Sequence, residues 1–364
     1  MFHHLLDFVL FFLMAAFLFL LVLILVKKSR FAVNTKKTLE RMKVIKENID
    51  KFINEPEAEF KKALEEYVRD AAGKGWKASM DEYLLGALEL NNTENKDRLR
   101  TIARSMDFSA ECLNQIKSRK PGMIALGSRR AGLYNFTEAA QEMVAALEYL
   151  SSGNQFEILM GLARMGQADA MEKAMARIEK NIIINERAVV EILSAFPGGE
   201  EKIKLYRNMI ESHGDYIAAL FLKAAGKDTA MALTGEIISV LHTGEKETRT
   251  AAIRALATLG EEAPDAELIK ALEDPDWEVR AMAAKALGPI TKPESSLALF
   301  RVLKDQQWWV RQNATSALVC HHGYETLFIL AAEFGDEYTK DSIMSALEDA
   351  GSPLLLRSIK ILTV

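Results

Sequence analysis

The sequence predicts an all-α fold, in which an N-terminal transmembrane helix precedes an α-solenoid of stacked helix pairs. Three observations support this prediction. Apolar residues make up 49% of the chain, yet no strand-like alternation recurs. One motif returns every 31 residues in the carboxyl-terminal half. The first 26 residues contain an almost uninterrupted apolar run.

The repeated motif occupies residues 243–318 and aligns in three rows. The rows read TGEKETRTAAIRALATLG, DPDWEVRAMAAKALGPI and DQQWWVRQNATSALVC, from Thr243, Asp274 and Asp305. The shared columns are one arginine, two alanines and one leucine: Arg249, Arg280 and Arg311; Ala252, Ala283 and Ala314; Ala255, Ala286 and Ala317; Leu256, Leu287 and Leu318. A fixed period of this length indicates a solenoid, because each unit buries its apolar face only against its neighbours.

Each column has a physical interpretation on a helix. Asp274 and Asp305 are predicted to cap the start of a helix, and Pro275 suits its first turn. Alanines three residues apart lie on one face, where small side chains let two helices approach closely.

The pattern D-x-x-W-x-V-R-x-x-A-x-x-A-L resembles the second helix of a HEAT repeat, of the short bacterial kind also seen in phycobilisome lyases. The resemblance implies a structural ladder in which the arginine of one repeat pairs with the aspartate of a neighbour. Asp274, Arg280, Asp305 and Arg311 fit that pattern. Arg249 also stands in the ladder column, but Thr243 replaces the aspartate of its own row and leaves its partner open.

The amino-terminal run Leu5–Val26 is apolar except for Asp7. As a helix rising ~1.5 Å per residue it would span ~33 Å, which is enough for a bilayer core. A signal peptide and a buried core helix are the alternatives, but no basic n-region or A-x-A site is present. Lys27, Lys28 and Arg30 follow at once, so the positive-inside rule places the N-terminus outside and the rest in the cytoplasm, at the inner membrane.

Residues 27–78 are predicted to form a basic juxtamembrane helix and stalk, between an anchor at 1–26 and a solenoid at 79–364. The basic residues indicate either a solvated stalk or a contact with anionic lipid of the bilayer. Leu39, Ile45 and Ile49 are among the apolar residues that recur at helical spacing, so one face should pack. Pro56 should end this helix, and a second helix is predicted over Glu57–Asp70.

From about residue 79, helical runs alternate with short turns that contain Gly, Pro or Asn. The 31-residue frame extends backwards to units that keep the helix and lose the signature, as where Ala218 replaces the arginine. It extends forwards to YTKDSIMSALEDAG if the period shortens to 29, and a last helix is predicted over Pro353–Val364. About seven helix pairs are expected from residue 137 onward.

The residues give no sign of catalytic chemistry. The segment Cys320-His321-His322 resembles a metal-binding fragment, but no second Cys or His pair stands at ligand spacing. No nucleophile–base pair is recognisable. We therefore predict no catalytic, cofactor-binding or metal-binding residues, and a protein that is not an enzyme. The two cysteines form no disulfide framework and suit a reducing compartment.

Charge is distributed unevenly along the chain. Residues 1–51 contain nine Lys or Arg and four Asp or Glu, whereas residues 52–364 contain 37 and 47. An acidic solenoid argues against nucleic acid as a partner, because such binding requires a basic surface.

Three tryptophans are the candidate partner-binding residues. Trp277 and Trp308 share one column of the repeat, and Trp309 stands where the previous row has Glu278. Turn packing is one interpretation. The other is an aromatic anchor for a protein partner, since Trp is enriched at interface hot spots. Trp309 is expected to be the more exposed.

The whole layout resembles bacterial membrane-anchored HEAT-repeat proteins, from the anchor through LGSRRAGLYNFTEAAQEM to WWVRQNA. The resemblance implies an accessory role beside a membrane glycosyltransferase in envelope polysaccharide synthesis. We expect a non-enzymatic scaffold that binds a membrane-associated protein partner. The alternatives are a HEAT-type enzyme of the lyase kind and a chaperone of a membrane enzyme.

Overall fold

The structure is a computed structural model, and it describes residues 2–70, 74–90, 95–150, 152–179, 185–321 and 336–349. All regular secondary structure in these ranges is helical, which confirms the predicted all-α class. The chain divides into two compact units. Unit 1 comprises Met1–Ser118 and Leu133–Phe136, and unit 2 comprises Arg119–Gly132 and Thr137–Val364. The boundaries predicted at residues 26 and 78 stay predictions.

The α-helices are α1 Phe2–Phe52, α2 Glu57–Asp70, α3 Lys74–Glu89, α4 Lys96–Ser105, α5 Phe108–Lys117, α6 Pro121–Tyr134, α7 Ala140–Ala146, α8 Ser152–Met165, α9 Ala168–Glu179, α10 Glu186–Ser194, α11 Glu200–Ser212, α12 Asp215–Ala224, α13 Lys227–Ala232, α14 Thr234–Thr243, α15 Lys246–Ala257, α16 Asp265–Ala271, α17 Trp277–Ala286, α18 Pro293–Arg301, α19 Trp308–Leu318 and α20 Glu337–Asp349. The predicted helix Glu57–Asp70 has the bounds of α2. The predicted last helix, Pro353–Val364, lies outside the described residues.

Unit 1 is organised around the carboxyl-terminal half of α1. Ile45, Ile49 and Phe52 are buried against α2 and α3, so the helical spacing predicts this packed face correctly. Leu39, one turn and a half earlier, is 57% exposed and lies beyond the packed part. The helix ends at Phe52, and Pro56 stands just before α2, where its missing amide hydrogen costs nothing.

The apolar stretch Leu5–Val26 lies within α1. Of its described side chains, Phe17, Phe19 and Ile24 are each more than half exposed. Within the part of the chain that the structure describes, no helix meets the length and apolarity required to cross a membrane.

Unit 2 is a succession of helix pairs packed in two rows. The second helices of the pairs, α8, α10, α12, α15, α17, α19 and α20, contact one another in chain order. The first helices α7, α9, α11 and α14 form the other row, and α16 and α18 also contact each other there. Six complete pairs are therefore described from residue 137 onward, with α20 after them. The columns Ala252, Ala283 and Ala314 are fully buried between successive second helices, as their spacing predicts.

The motif LGSRRAGLYNFTEAAQEM contains another close helix contact in unit 2. A Cβ on Gly132 would lie 2.5 Å from the Cα of Gly161 in α8, and a Cβ on Gly161 would lie 2.5 Å from the carbonyl oxygen of Ser128. Real Cβ atoms do not approach other atoms so closely, so these two glycines permit the contact between α6 and α8.

Candidate interaction surface

An arginine–aspartate ladder joins the turns that lead into α15, α17 and α19. The Nε and Nη2 atoms of Arg249 donate to the carboxylate of Asp274 at 2.8 and 2.9 Å. Arg280 donates in the same way to Asp305, at 2.7 and 3.1 Å. The Arg280 and Asp305 side chains are only 18% and 9% exposed. These are paired, bidentate contacts, which give both strength and a fixed geometry.

Each ladder arginine also binds the turn of its own repeat. The Nη1 atoms of Arg249, Arg280 and Arg311 donate to the backbone carbonyls of Gly244, Asp274 and Asp305 at 3.0, 2.8 and 2.7 Å. Arg249 and Arg280 thus each connect their own turn to the aspartate of the following repeat. The hydrogen bond to the carboxylate is the main cause that raises the pKa of Arg249 and of Arg280.

This direction of pairing identifies the partner of Arg249. Its carboxylates are Asp274 and, at 2.8 Å, Asp276 of the next repeat. Thr243, in its own row, is not needed for the contact. An aspartate at position 243 would have served the preceding repeat, where Ala218 replaces the arginine.

The prediction that Asp274 and Asp305 cap the second helices is wrong. The helices begin at Trp277 and Trp308, three residues later, and no side chain caps them. Each carboxylate instead accepts the amide two residues on, from Asp276 and from Gln307, both at 2.8 Å. In this local turn both oxygens of each carboxylate can still accept hydrogen bonds from the arginine of the preceding repeat. Pro275 lies in the turn rather than in the helix.

The ladder changes its form at its carboxyl-terminal end. The guanidinium of Arg311 lies over the ring of Tyr338, 5.3 Å from its centroid, and its Nε lies 3.4 Å from Ser342 Oγ. Asp336 caps α20 by accepting the amide of Thr339 at 2.8 Å. Hydrogen bonds from Thr339, aided by the positive charge of Arg311, lower the pKa of Asp336.

The tryptophans occupy the first turn of the second helices. Trp308 and Trp309 are 48% and 56% exposed, and their rings meet edge to face with centroids 4.6 Å apart. The next two residues, Val310 and Arg311, are buried. The exposed tryptophan pair is therefore held in place by the buried residues that directly follow it in the helix. Trp277, in the previous repeat, is half-buried.

Trp309 belongs to a series of equivalent positions that sequence reasoning missed. The second residue of α12, α15, α17, α19 and α20 is respectively Tyr216, Glu247, Glu278, Trp309 and Tyr338. Tyr216 and Tyr338 are 44% and 67% exposed. The signal was present in the sequence, because the 31-residue period places Tyr216 in this column and the shortened period of 29 places Tyr338 there. We call these five residues the aromatic–acidic edge.

The Cys320-His321-His322 segment has a structural role where it is described. His321 is buried, with Nδ1 2.7 Å from Ser296 Oγ and Nε2 3.1 Å from the Leu287 carbonyl oxygen. Both ring nitrogens are therefore engaged within the fold. Cys320 is exposed, and His322 lies outside the described residues. No cluster of three potential metal ligands occurs among the residues described.

Comparison with known proteins supports the repeat assignment for part of the chain. Residues 234–319, from α14 to α19, match the family model of HEAT repeats. This confirms the predicted HEAT-like repeats in that segment. No curated protein sequence matches the chain significantly.

Three solved structures illustrate the similarity. An engineered protein is 18% identical and aligns with 54% of this chain and 98% of its own, with a TM-score of 0.32. Human deoxyhypusine hydroxylase is 17% identical over 78% of this chain and 98% of its own, with a TM-score of 0.29. The CpcE–CpcF complex of phycocyanin lyase from Nostoc is 16% identical over 70% and 93%, with a TM-score of 0.27.

Proposed function

We propose that this chain is a non-enzymatic scaffold whose repeats hold a protein partner at the cytoplasmic face of a membrane. The observation that carries the proposal is the exposed Trp308–Trp309 pair on its buried base. Two adjacent tryptophans, each about half exposed, leave apolar area in water unless a partner covers it. Tryptophan is also one of the residues enriched at the energetic hot spots of interfaces, together with tyrosine and arginine.

The membrane part of the proposal rests on the amino-terminal sequence. The proposed span is Leu5–Val26, with Lys27, Lys28 and Arg30 on the cytoplasmic side, and it is argued from the sequence alone, because no helix among the described residues meets the requirement for a span. The exposed side chains of Phe17, Phe19 and Ile24 suit a lipid environment. An anchor of this kind confines the repeats to a thin layer at the membrane, and so raises the effective concentration of any membrane-associated partner.

A membrane glycosyltransferase of envelope polysaccharide synthesis is the partner that the family resemblance implies. The repeats themselves are compatible with many partners, because function depends on the site rather than on the fold. We propose this partner as the first to be tested.

The binding test is a pull-down of the tagged full-length chain from detergent-solubilised membranes. We expect Trp309→Ala to lose the partner while its melting temperature stays close to that of the wild type, since the ring is largely exposed. The matched control is Leu297→Ala. It removes a side chain that is 48% exposed and lies on α18, the first helix of the pair that also contains α19. A partner that remains bound to folded Trp309→Ala protein would contradict the proposed site.

The orientation is tested by labelling single cysteines on intact cells with an impermeant thiol reagent. The background carries Cys320→Ser, because Cys320 is exposed. A cysteine introduced at position 3 should react, whereas one at position 250 should react only after lysis. The reverse pattern would contradict the orientation.

A further inference from the structure

We infer that the partner segment is cationic: an extended stretch with spaced Lys or Arg side chains that lies along the aromatic–acidic edge. The inference rests on the proposed scaffold function and specifies the chemistry of its partner. Along this edge two carboxylates, Glu247 and Glu278, lie between aromatic residues, with Tyr216 on one side and Trp309 and Tyr338 on the other.

The aromatic rings of the edge suit cation–π contacts. Their exposed fractions are 44% for Tyr216, 56% for Trp309 and 67% for Tyr338. Within the fold itself the guanidinium of Arg311 already lies over one of these rings, that of Tyr338, at 5.3 Å. A ring so exposed keeps surface for a second cation, and Trp is the best aromatic acceptor for such contacts.

The charge around the edge is negative. The stretches 243–249, 274–280, 305–311 and 336–340 together contain eight Asp or Glu and five Lys or Arg. Three of those five are the ladder arginines, which are held by carboxylates or backbone carbonyls of the fold. A fourth, Lys246, pairs with Glu278 at 3.2 Å. The same pairs engage four of the eight carboxylates, those of Asp274, Asp276, Glu278 and Asp305. The net surplus of negative charge attracts cations and opposes contact with anionic lipid.

A groove beside Tyr216 has the form needed for a long basic side chain. It has a volume of 220 Å³ and lies between α12 and α15. Ala219 and Leu220 supply apolar wall, and Glu245 and Glu247 stand among its carboxylates. The lysine in its lining, Lys223, pairs with Glu186 at 2.6 Å. Lys and Arg bury an aliphatic stem while their charged end stays near water, which matches an apolar wall beside acidic groups.

The spacing of the edge sets the spacing of the cations. Packed helices lie about 8–10 Å apart, so equivalent residues of successive second helices recur at about that distance. An extended chain advances about 3.3 Å per residue, so a basic side chain at every third position would match. Membrane proteins supply such segments, because their short cytoplasmic loops are enriched in Lys and Arg.

The experiment measures binding of a fluorescein-labelled peptide of four Arg-Ala-Pro repeats to the full-length chain in neutral detergent. We expect saturable binding that weakens with salt, and much weaker binding of the matched Glu-Ala-Pro peptide. Trp309→Ala and Tyr338→Ala should each weaken binding roughly tenfold, as expected for loss of a desolvated cation–π contact. Glu247→Gln should weaken it less, and Leu297→Ala should leave it unchanged.

Several results would overturn the inference. Equal binding of the arginine and glutamate peptides would do so, as would unchanged binding by both aromatic variants. In vesicles with brominated acyl chains, fluorescence quenching that is lost in Trp308→Phe/Trp309→Phe protein would assign the edge to the bilayer. Self-association abolished by Lys36→Glu/Lys37→Glu would assign it to the basic juxtamembrane helix of a second copy.

The two proposals can fail separately. If the membrane pull-down depends on Trp309 but the arginine peptide does not bind, the scaffold function stands and its partner is not cationic. If the peptide binds at the edge but no membrane protein is retained, the edge recognises cations and the scaffold proposal is wrong.

Discussion

Two parts of unit 2 solve the same packing problem in different ways. From α15 to α19, successive second helices meet through alanine columns, and an Arg–Asp ladder joins their turns. From α6 to α12 no Arg–Asp rung occurs among the residues that the structure describes. There the close approach of α6 and α8 uses Gly132 and Gly161, and large side chains fill the core. Tyr206 and Phe221, for example, pack edge to face at 4.9 Å.

The boundary between these parts shows that ladder partners are lost together. Ala218 stands in the arginine column and Thr243 in the aspartate column of the one rung that would join α12 to α15. Neither residue leaves a buried charge without a partner. A different contact connects the same turns, because the Asp215 carboxylate accepts the Glu245 amide at 2.9 Å and its carbonyl accepts the Thr248 hydroxyl at 3.1 Å. The helix pair is thus the constant feature of the repeat, and the ladder is one way to fix it.

The largest loss of stability is expected at the close contact between α6 and α8, where no room exists for an added side-chain atom. Gly161→Ala should lower the free energy of unfolding by about 3 kcal/mol, because its Cβ would lie 2.5 Å from the Ser128 carbonyl oxygen in a backbone contact that cannot yield easily. Chemical denaturation measures the change. The control is Gly153→Ala in the same helix, where no atom lies within 4 Å of the added Cβ. Equal destabilisation by both variants would show that the contact between α6 and α8 is not the cause.

The ladder should come next in magnitude. Asp305→Ala should cost about 2 kcal/mol, because it leaves the largely buried Arg280 guanidinium without its carboxylate. The exposed pair Lys246–Glu278 provides the contrast, since its side chains are 40% and 34% exposed. Glu278→Ala should change the melting temperature very little. A double-mutant cycle with Arg280→Met would measure the coupling directly. A ladder variant as mild as Glu278→Ala would mean that the rungs only set register.

The sequence predicts the helices and the buried columns of the later part well, because a strict period repeats the same physical environment. It predicts less where the period weakens. The sequence predicts that Asp274 and Asp305 cap helices, since Asp before an apolar run usually does so. The resemblance implies that the aspartates pair with arginines of a neighbouring repeat, but only the three-dimensional turn shows the direction, from the arginine of one repeat to the aspartate of the next. The contact between Gly132 and Gly161 joins residues far apart in the sequence and has no local signature. The shortened period of 29 residues places Tyr338 in the column of Trp309, but the exposure of its side chain depends on how α20 packs.

The tryptophan column sharpens the comparison within the later part itself. Trp277→Ala should cost about 1–2 kcal/mol, because a half-buried indole is lost from the turn. Trp309→Ala should leave the melting temperature within about a degree, because more than half of that side chain is exposed. Thermal denaturation of the two variants, side by side, distinguishes packing from an exposed anchor. If Trp309→Ala were the less stable of the two, the exposed pair would belong to the core, and the binding face would have to be sought on other second helices.

The smallest effect is expected at the carboxyl-terminal end of the ladder. There the exposed Asp336 caps α20 and makes no bidentate pair with an arginine of the kind that Asp274 and Asp305 make. Hydrogen bonds from Thr339 hold the pKa of Asp336 below its ordinary value of 3.8 in the folded state. A carboxyl group whose pKa is lowered by folding stabilises the fold when it is ionised, at pH values above its unfolded pKa. That contribution is lost as the pH falls through the folded pKa.

Asp336→Asn keeps a capping oxygen but removes the charge, so it should be slightly less stable than the wild type at pH 6, and the difference should disappear toward pH 2. Hydrogen exchange of the first-turn amides of α20, measured across this range, reports the change locally. A difference between the two proteins that stays constant with pH would mean that the cap acts through its geometry alone, without the charge that Arg311 and the Thr339 hydrogen bonds favour.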